Sequence, residues 1–343
     1  MDLARFSAIV ERYADLSIAV LGDFCLDRYL EIDPARQEIS RETRLPVHNV
    51  INVRAQPGGA GTIVNNLAAL GVGTIFPVGF AGEDGEGSSL RRALEGLPGI
   101  RLTHFIETDQ RRTFTYCKPL VMTPGKPPVE LNRIDFKNWT PTPASLQGLL
   151  ANHLKAVAEK ASAVVVLDQV DVPETGVVTS QVREVLKEMS EQHPELVILA
   201  DSRRGLRDFP PLMFKMNAAE LSALTGAKSG LSLEEMKQTA AALARQNGRS
   251  VFVTLADRGI LGASASGQFE HVPALPLRGD IDIVGACDAV TANLTAALAA
   301  GATLREALVI ANAAASVVLH KLGTTGTASV PEIRELVCLP GSS

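Results

Sequence analysis

Asp288 follows three small residues, Gly285, Ala286 and Cys287, and opens the run Asp-Ala-Val-Thr-Ala-Asn-Leu-Thr-Ala-Ala-Leu-Ala-Ala-Gly, which is helical by propensity and stops at Gly301. Small side chains let backbone N–H groups come close to a ligand. The first turn of a helix leaves such groups unpaired at the positive end of its dipole. That suits the charge spread over a phosphoryl group in transfer, and a neighbouring carboxylate suits removal of the proton from an attacking alcohol. Asp288 is thus a candidate general base, and the N–H groups of Gly285 to Asp288 a candidate anion hole. The same residue types also suit an ordinary N-cap.

Other residues support this chemistry only in combination. Asn217 and Glu220, in Asn-Ala-Ala-Glu, present an amide and a carboxylate on one helical face. A hydrated magnesium ion needs little more, though a capped helix start needs the same pair. Gly58 and Gly59 open a glycine-rich turn before a helix closed by Gly71, and Thr62 and Asn66, four apart, share a face from which both reach a ligand's hydroxyl groups. Asp27 and Arg28 follow the first strand and are placed to meet a polar ligand. There is no Gly-x-x-x-x-Gly-Lys-Ser/Thr loop, no dinucleotide fingerprint, no protein-kinase loop set and no Gly-x-Ser-x-Gly elbow. Phosphate handling then rests on Gly285 to Asp288 with a metal ion.

The elements that must position these groups are legible as periodicity. Ser17 to Asp23 is a continuous apolar run, as expected of a parallel strand buried on both faces. Further strands are predicted at 163–167, 196–200 and 251–255, and helices at about 144–160, 175–192, 232–247 and 304–320. Such alternation specifies an α/β, doubly wound, mostly parallel sheet with right-handed crossovers. Ligands in these sheets sit beyond the carboxyl ends of the strands. Asp23, Asp27, Asp168, Asp201, Arg203, Arg204, Thr254, Asp257, Arg258 and Gly259 all follow such ends, so they should converge on the crevice that Asp288 faces. Two β-prone segments, about 30–56 and 101–136, lack helical periodicity and are predicted to pair into a small β-flap lid inserted in one unit spanning 1–343. Its outer face predicts a homodimer.

The chain has 343 residues, 46% of them hydrophobic, enough for a sizeable core. A net charge of −5 and a pI near 5.8 argue against nucleic acid or an anionic membrane as partner. Cys25, Cys117, Cys287 and Cys338 are widely spaced, which suggests neither zinc nor disulfides and points to a reducing cytoplasm. The N-terminal segment lacks an apolar signal core, and no run of about 18 apolar residues occurs.

With these residues assembled, the chain resembles the ribokinase-like (PfkB) family of sugar kinases over about residues 15–335, and specifically the kinase domain of the bifunctional heptose-phosphate kinases. Gly58-Gly59 through Gly71 resembles the family's first signature and Asp282 through Asp288 its second, usually written with Gly-Ala-Gly-Asp. Asn217-x-x-Glu220 is similar to its magnesium and phosphate motif, and Thr254 through Gly259 to its nucleotide loop. Asn312 lies where the family contacts the nucleotide. Gly22-Asp23, Leu26 to Tyr29, Ile39-Ser40, Glu42, Pro46-Val47, Arg133, Asp135 and Lys321 to Thr324 extend the match to the heptose kinases.

The resemblance implies ATP and magnesium as cofactors, with room for a monovalent cation near Asp282. It implies Asp288 as the base acting on a sugar hydroxyl, Asp27, Arg28, Gly58, Gly59, Thr62, Asn66 and Asp168 around the sugar, and Asn217, Thr254, Asp257, Gly259, Gly285 and Asn312 around the nucleotide. The substrate it suggests is a sugar or sugar phosphate, with a heptose 7-phosphate foremost. It covers the kinase part of those bifunctional enzymes, so their second activity is not implied.

Three departures stand out. Cys287 replaces a glycine, at about 1–2 kcal/mol if its backbone is left-handed. Thr62 replaces the sugar-binding Asn. Asp168-Gln169-Val170-Asp171-Val172 lacks the lysine of the heptose kinases' Asp-Tyr-x-Lys-Gly, leaving Arg28, Arg41, Arg44 or Arg203 to face a substrate phosphate. These departures motivate an alternative, a catalytically weak family member that binds sugar or nucleotide as a sensor or partner. A kinase for a nucleoside or other small alcohol is a third reading.

Overall fold

The computed structural model describes residues 1–338. Helix α1 (Leu3–Val10) is started by Asp2, whose carboxylate accepts the Arg5 N–H, and it buries Phe6 and Ile9. Strand β1 (Ser17–Gly22) follows, apolar throughout because both its faces are covered. The chain then leaves the main layer in β2 (Phe24–Ile32), makes the short hairpin β3 (Glu38–Ile39) and β4 (Pro46–Val47), and returns along β5 (Val50–Gly59). Helix α2 (Ala60–Ala69), β6 (Thr74–Gly82), α3 (Gly85–Glu95) and β7 (Phe105–Thr108) come next. A second excursion consists of β8 (Phe114–Val121), β9 (Val129–Glu130) and β10 (Ile134–Phe136).

From there the chain alternates. It runs through α4 (Ala144–Ala158), β11 (Ala163–Asp168), α5 (Ser180–Gln192), β12 (Val197–Ser202) and β13 (Met213–Asn217). It continues through α6 (Ala218–Thr225), α7 (Leu233–Asn247), β14 (Val251–Thr254), β15 (Ile260–Ala263) and β16 (Phe269–Val272), and ends in α8 (Ala286–Ala299), α9 (Leu304–Leu319) and α10 (Val330–Val337).

The main sheet has the order β16-β15-β14-β13-β12-β11-β1-β6-β7. It is parallel from β14 to β7, with β15 and β16 added antiparallel at one edge. One apolar core fills the face covered by α2, α8 and α9, and a second fills the face covered by α4, α5 and α7. This is the doubly wound α/β arrangement that the alternation predicts.

The two excursions pair into a second sheet, ordered β10-β8-β2-β5 with β9 on β8. Its extent differs from the predicted flap. Phe105–Thr108 is the last strand of the main sheet, and Phe105 packs edge-on against Phe24 with ring centroids 5.1 Å apart. Apolar residues in that stretch serve the main core, so the flap proper is built from 24–59 and 114–136. Helix α5 likewise starts at Ser180 rather than 175, because Asp23, just past the end of β1, holds the preceding loop by accepting the Gln169, Val170 and Val177 N–H groups.

Candidate active site

Helix α8 begins one residue after a left-handed turn. Gly285 has φ 83°, and a Cβ there would sit 2.7 Å from Thr325 Cγ2 and 3.7 Å from Thr62 Cγ2, so glycine serves both the backbone and the packing. Ala286, Cys287 and Asp288 are the first three helical residues, which makes Gly285, not Asp288, the N-cap. The Ala286 N–H reaches Ile283 O at 3.3 Å and the Ala289 N–H reaches Gly285 O at 2.9 Å. The intervening Cys287 and Asp288 N–H groups make no hydrogen bond among the described residues, so two donors at the positive helix end stay unclaimed.

The Cys287 expectation is corrected here. Its backbone is helical, and the non-glycine residues with positive φ are Arg44, Glu174 and Ala256 among those described. Cys287 therefore carries no left-handed penalty, and its thiol is exposed at the helix end.

Asp288 retains some accessible surface, but its carboxyl group is enclosed by protein. Burial raises its pKa to about 7, with Asp201 and Asp27 adding to the rise and Lys215 opposing it. Lys215, on β13, is 3% exposed, and its Nζ donates to Asp201 Oδ2 at 2.7 Å. Burial disfavours its charge, yet Asp201, Cys287 and Asp288 together outweigh burial and raise its pKa. A buried cation and two carboxylates thus lie beneath the helix start.

The second sheet supplies the opposite wall. Asp27 on β2 is buried, with Lys118 Nζ 3.3 Å from its Oδ1 and Thr325 Oγ1 donating to its Oδ2 at 3.4 Å. Lys118 also lies over the Tyr29 ring, 4.8 Å from the centroid, and Tyr29 Oη is 3.3 Å from Thr325 Oγ1. Gly58 pairs across from Cys25, and a Cβ at Gly58 would stand 2.8 Å from Asp27 Cγ. Gly59, with φ 57°, approaches Asp23 O so closely that a Cβ would lie 2.5 Å away. Asp282 ties the α8 turn to the loop after α9 by accepting the Val284 and Gly323 N–H groups at 3.0 and 3.2 Å.

Several expected ligand contacts have other occupations. Arg28 alternates to the opposite face of β2 from Asp27 and pairs with Glu86 at 3.4 Å. Arg41 and Arg44 lie in the exposed turn between β3 and β4. Asn66 is fully buried: its Nδ2 donates to Thr62 O at 3.0 Å and its Oδ1 accepts the Ala328 N–H at 3.3 Å, so it joins α2 to the segment before α10. Thr62 lies beside Gly285 on that helix and is 2% exposed. Asp168 is fully buried, with Oδ2 bonded to Ser202 Oγ at 2.8 Å and to Arg204 Nη2 at 2.7 Å. Burial raises its pKa against the pull of Arg204, and its unpartnered Oδ1 lies in protein, near Asp23, rather than in the opening.

The nucleotide candidates follow the strand ends as expected, since Asn217 and Thr254 are register partners on β13 and β14. Asn217 and Glu220, however, form a reciprocal capping box. Asn217 Oδ1 accepts the Ala219 and Glu220 N–H groups, both at 2.9 Å, and Glu220 Oε2 accepts the Asn217 N–H at 2.7 Å. Asn217 oxygen is thereby committed to the helix. Glu220 keeps Oε1, and Asp201 keeps Oδ1; burial raises the Glu220 pKa, with Asp201 adding. Two carboxylates, each with one free oxygen, fit a hydrated magnesium ion that takes its remaining ligands from water and phosphate. Among the described residues no group of three His, Cys, Asp or Glu side chains is placed to hold an ion unaided.

Thr254 Oγ1 donates to Met216 O at 3.4 Å, and Asp257 lies in an exposed 3-10 turn. Gly259, with φ 90°, is obligatory because a Cβ would meet Val272 O at 2.1 Å. Asn312 Nδ2 donates to Pro273 O at 2.9 Å and so also supports a loop. Lys118, Lys215 and Thr325 are the polar residues of this region that sequence reading did not single out. The first two lie in β strands, where period-two alternation places a lysine but does not say which face is the ligand face.

The pfkB family carbohydrate kinase model matches residues 17–331. The chain is 33% identical over 308 residues to the bifunctional protein HldE of Azorhizobium caulinodans, covering 90% of this chain and 61% of that protein. To the bifunctional protein HldE of Gluconacetobacter diazotrophicus it is 30% identical over 328 residues, covering 94% and 63%. The chain thus spans less than two thirds of the length of these relatives. Among solved structures it is similar to Arabidopsis thaliana ribokinase complexed with ribose and ATP, with TM-score 0.67, 20% identity and 95% and 99% of the two chains covered. It is also similar to phosphofructokinase-2 from Escherichia coli in complex with substrates and products, with TM-score 0.70, 19% identity and 94% and 98% covered. The fold is therefore ribokinase-like, and the family match over most of its length makes this chain a member of the pfkB family of carbohydrate kinases.

Proposed function

We propose that the chain transfers the γ-phosphoryl group of ATP, with magnesium, to a hydroxyl of a sugar or sugar phosphate, with a heptose 7-phosphate as the first substrate to test. The observation that carries this reading is Asp288, a carboxyl raised to about 7 beside the unclaimed N–H groups of Cys287 and Asp288. A base with a pKa near the working pH both holds enough of its ionised form and accepts a proton well. The attacking hydroxyl would lie between Asp288 and the Asp27 wall, where Asp27, held by Lys118, would accept hydrogen bonds from sugar hydroxyls. The N–H groups at the start of α8 would hold the charge that develops on the transferred group. Magnesium, when bound through Glu220 and Asp201, supplies charge neutralisation of the triphosphate. A monovalent cation, if this chain takes one as the family resemblance implies, would be sought near Asp282, which orders the loop before α8.

We propose further that the second sheet is a lid over one kinase unit and that its outer face joins two copies. Val50, Ile51, Val53, Val129, Ile134 and Phe136 are large apolar residues exposed on this sheet, a concentration that soluble monomers seldom show. The acidic balance and the family support a cytoplasmic enzyme acting on small molecules. The experiment is incubation with ATP, magnesium and a panel of sugars and sugar phosphates, with mass spectrometry for the phosphorylated product and ADP. Ligand binding without product from any sugar would favour a sensor instead.

A further inference from the structure

Resting on the kinase reading, we infer that Thr325 is a positioning residue with two separable actions: its hydroxyl sets Asp27 for the sugar, and its methyl group sets the turn that opens α8 for the phosphoryl group. It acts through these two neighbours and takes no part in the chemistry itself. Thr325 lies between α9 and α10 and is 7% exposed. It fills the gap between the second sheet and the start of α8.

Counting donors fixes what the hydroxyl does. Asp27 and Tyr29 are two apart on β2 and share the face that meets Thr325. Lys118 Nζ and Gln56 Nε2 both donate to Tyr29 Oη, each at 3.4 Å. Thr325 Oγ1 gives its one proton to Asp27 Oδ2 at 3.4 Å, so Tyr29 Oη, 3.3 Å away, donates to Thr325 Oγ1. Lys118 Nζ closes the ring at 3.3 Å from Asp27 Oδ1. Of the four side chains in this ring, Thr325 is the one that comes from outside the second sheet. The Tyr29 ring is held by the Arg54 and Lys118 cations, 4.7 and 4.8 Å from its centroid.

The methyl group faces the other way. A Cβ on Gly285 would stand 2.7 Å from Thr325 Cγ2, so this methyl packs against the left-handed turn from which the Cys287 and Asp288 N–H groups follow. Asp27 adds to the raised pKa of Asp288, as expected if the two walls face each other across this one residue. The segment that carries Thr325 has anchors of its own. The Gly323 N–H donates to Asp282 at 3.2 Å, the Ala328 N–H to Asn66 Oδ1 at 3.3 Å, and Lys321 Nζ to Thr327 O at 2.6 Å. A substitution at Thr325 therefore acts through its two contacts rather than by loosening the segment.

The test uses two variants that each remove one half of the side chain. Thr325→Val keeps the shape and loses the hydroxyl, whereas Thr325→Ser keeps the hydroxyl and loses the methyl. ADP release is measured with ATP, magnesium and the sugar that the wild type phosphorylates best, sedoheptulose 7-phosphate being tried first. Thr325→Val leaves Asp27 Oδ2 and the Tyr29 hydroxyl short of a partner, and should raise KM for the sugar about 10–100-fold with kcat within about twofold. Thr325→Ser should lower kcat about 3–10-fold, by misplacing the α8 donors, with KM for the sugar within about twofold. Any result in which the two variants do not divide KM from kcat in this way, including two variants that behave as wild type, would overturn the inference. If the wild type releases ADP with no sugar, the kinase reading fails by itself, and hydrogen exchange followed by mass spectrometry decides. Thr325→Val should then speed exchange in residues 24–32 and leave 283–289 unchanged, and Thr325→Ser should do the reverse; any other pattern refutes the two actions.

Discussion

Replacing Asp288 by Asn should stabilise the protein at alkaline pH. The carboxyl is raised from 3.8 to about 7 mainly by burial, so the folded state holds a proton that the unfolded state releases. The sign follows directly. For a carboxyl raised on folding, its contribution is whole below the unfolded value and is lost as pH climbs to the folded one. Three units at 1.36 kcal/mol each set a ceiling of about 4 kcal/mol lost by the wild type above pH 7. Asn is neutral throughout and escapes that loss. Urea unfolding of both proteins at pH 5 and pH 8 should show the variant ahead by about 1–2 kcal/mol at pH 5 and by up to about 4 kcal/mol at pH 8. A gap that does not widen with pH, or a variant less stable at pH 8, would refute the burial argument.

Other perturbations test neighbouring parts of the account. Ala256, exposed with φ 53°, should be relieved by Ala256→Gly, raising stability by ~1 kcal/mol after the added chain entropy, or roughly 1–2 °C in a calorimetric melt. Lys215→Met leaves Asp201 buried without its partner and should lower stability by about 3–5 kcal/mol in denaturant titration. It should also move the acidic limb of the pH–rate profile above 7, because Lys215 holds the Asp288 pKa down; Lys215→Met with Asp201→Asn should recover part of the stability. Val53→Lys with Ile134→Lys, on the apolar outer face, should convert a dimer to a monomer in sedimentation at micromolar concentration, and a wild type already monomeric would remove the dimer proposal.

The start of α8 was legible because two local rules agree there: small residues permit a tight turn, and an alanine-rich run must be helical. The burial of strands such as β1 and β11 was equally plain from unbroken apolar runs. Side-chain destinations were not. Thr62 and Asn66 do share a helical face, but that face meets α8 and the segment before α10 rather than open space, so Asn66 bonds to backbone. Arg28 adjoins Asp27 in sequence, and for that reason points away from it in a strand. Asn217 and Glu220 carry a spacing that serves a capping box and a metal motif equally, and only the observed bonds show that the Asn oxygen is taken. Lys118 and Lys215 were missed because an isolated lysine in a strand reads as a solvent-facing residue, whereas here each is buried against an Asp on the neighbouring strand of its sheet.

The central claim is that Asp288 removes the proton from the attacking sugar hydroxyl. The most direct measurement is kcat of the Asp288→Asn protein, at saturating ATP and magnesium, with the best sugar found for the wild type. The account predicts a fall by a factor of about 10²–10⁴ with ATP binding retained. Sugar-dependent turnover at the wild-type rate would contradict it.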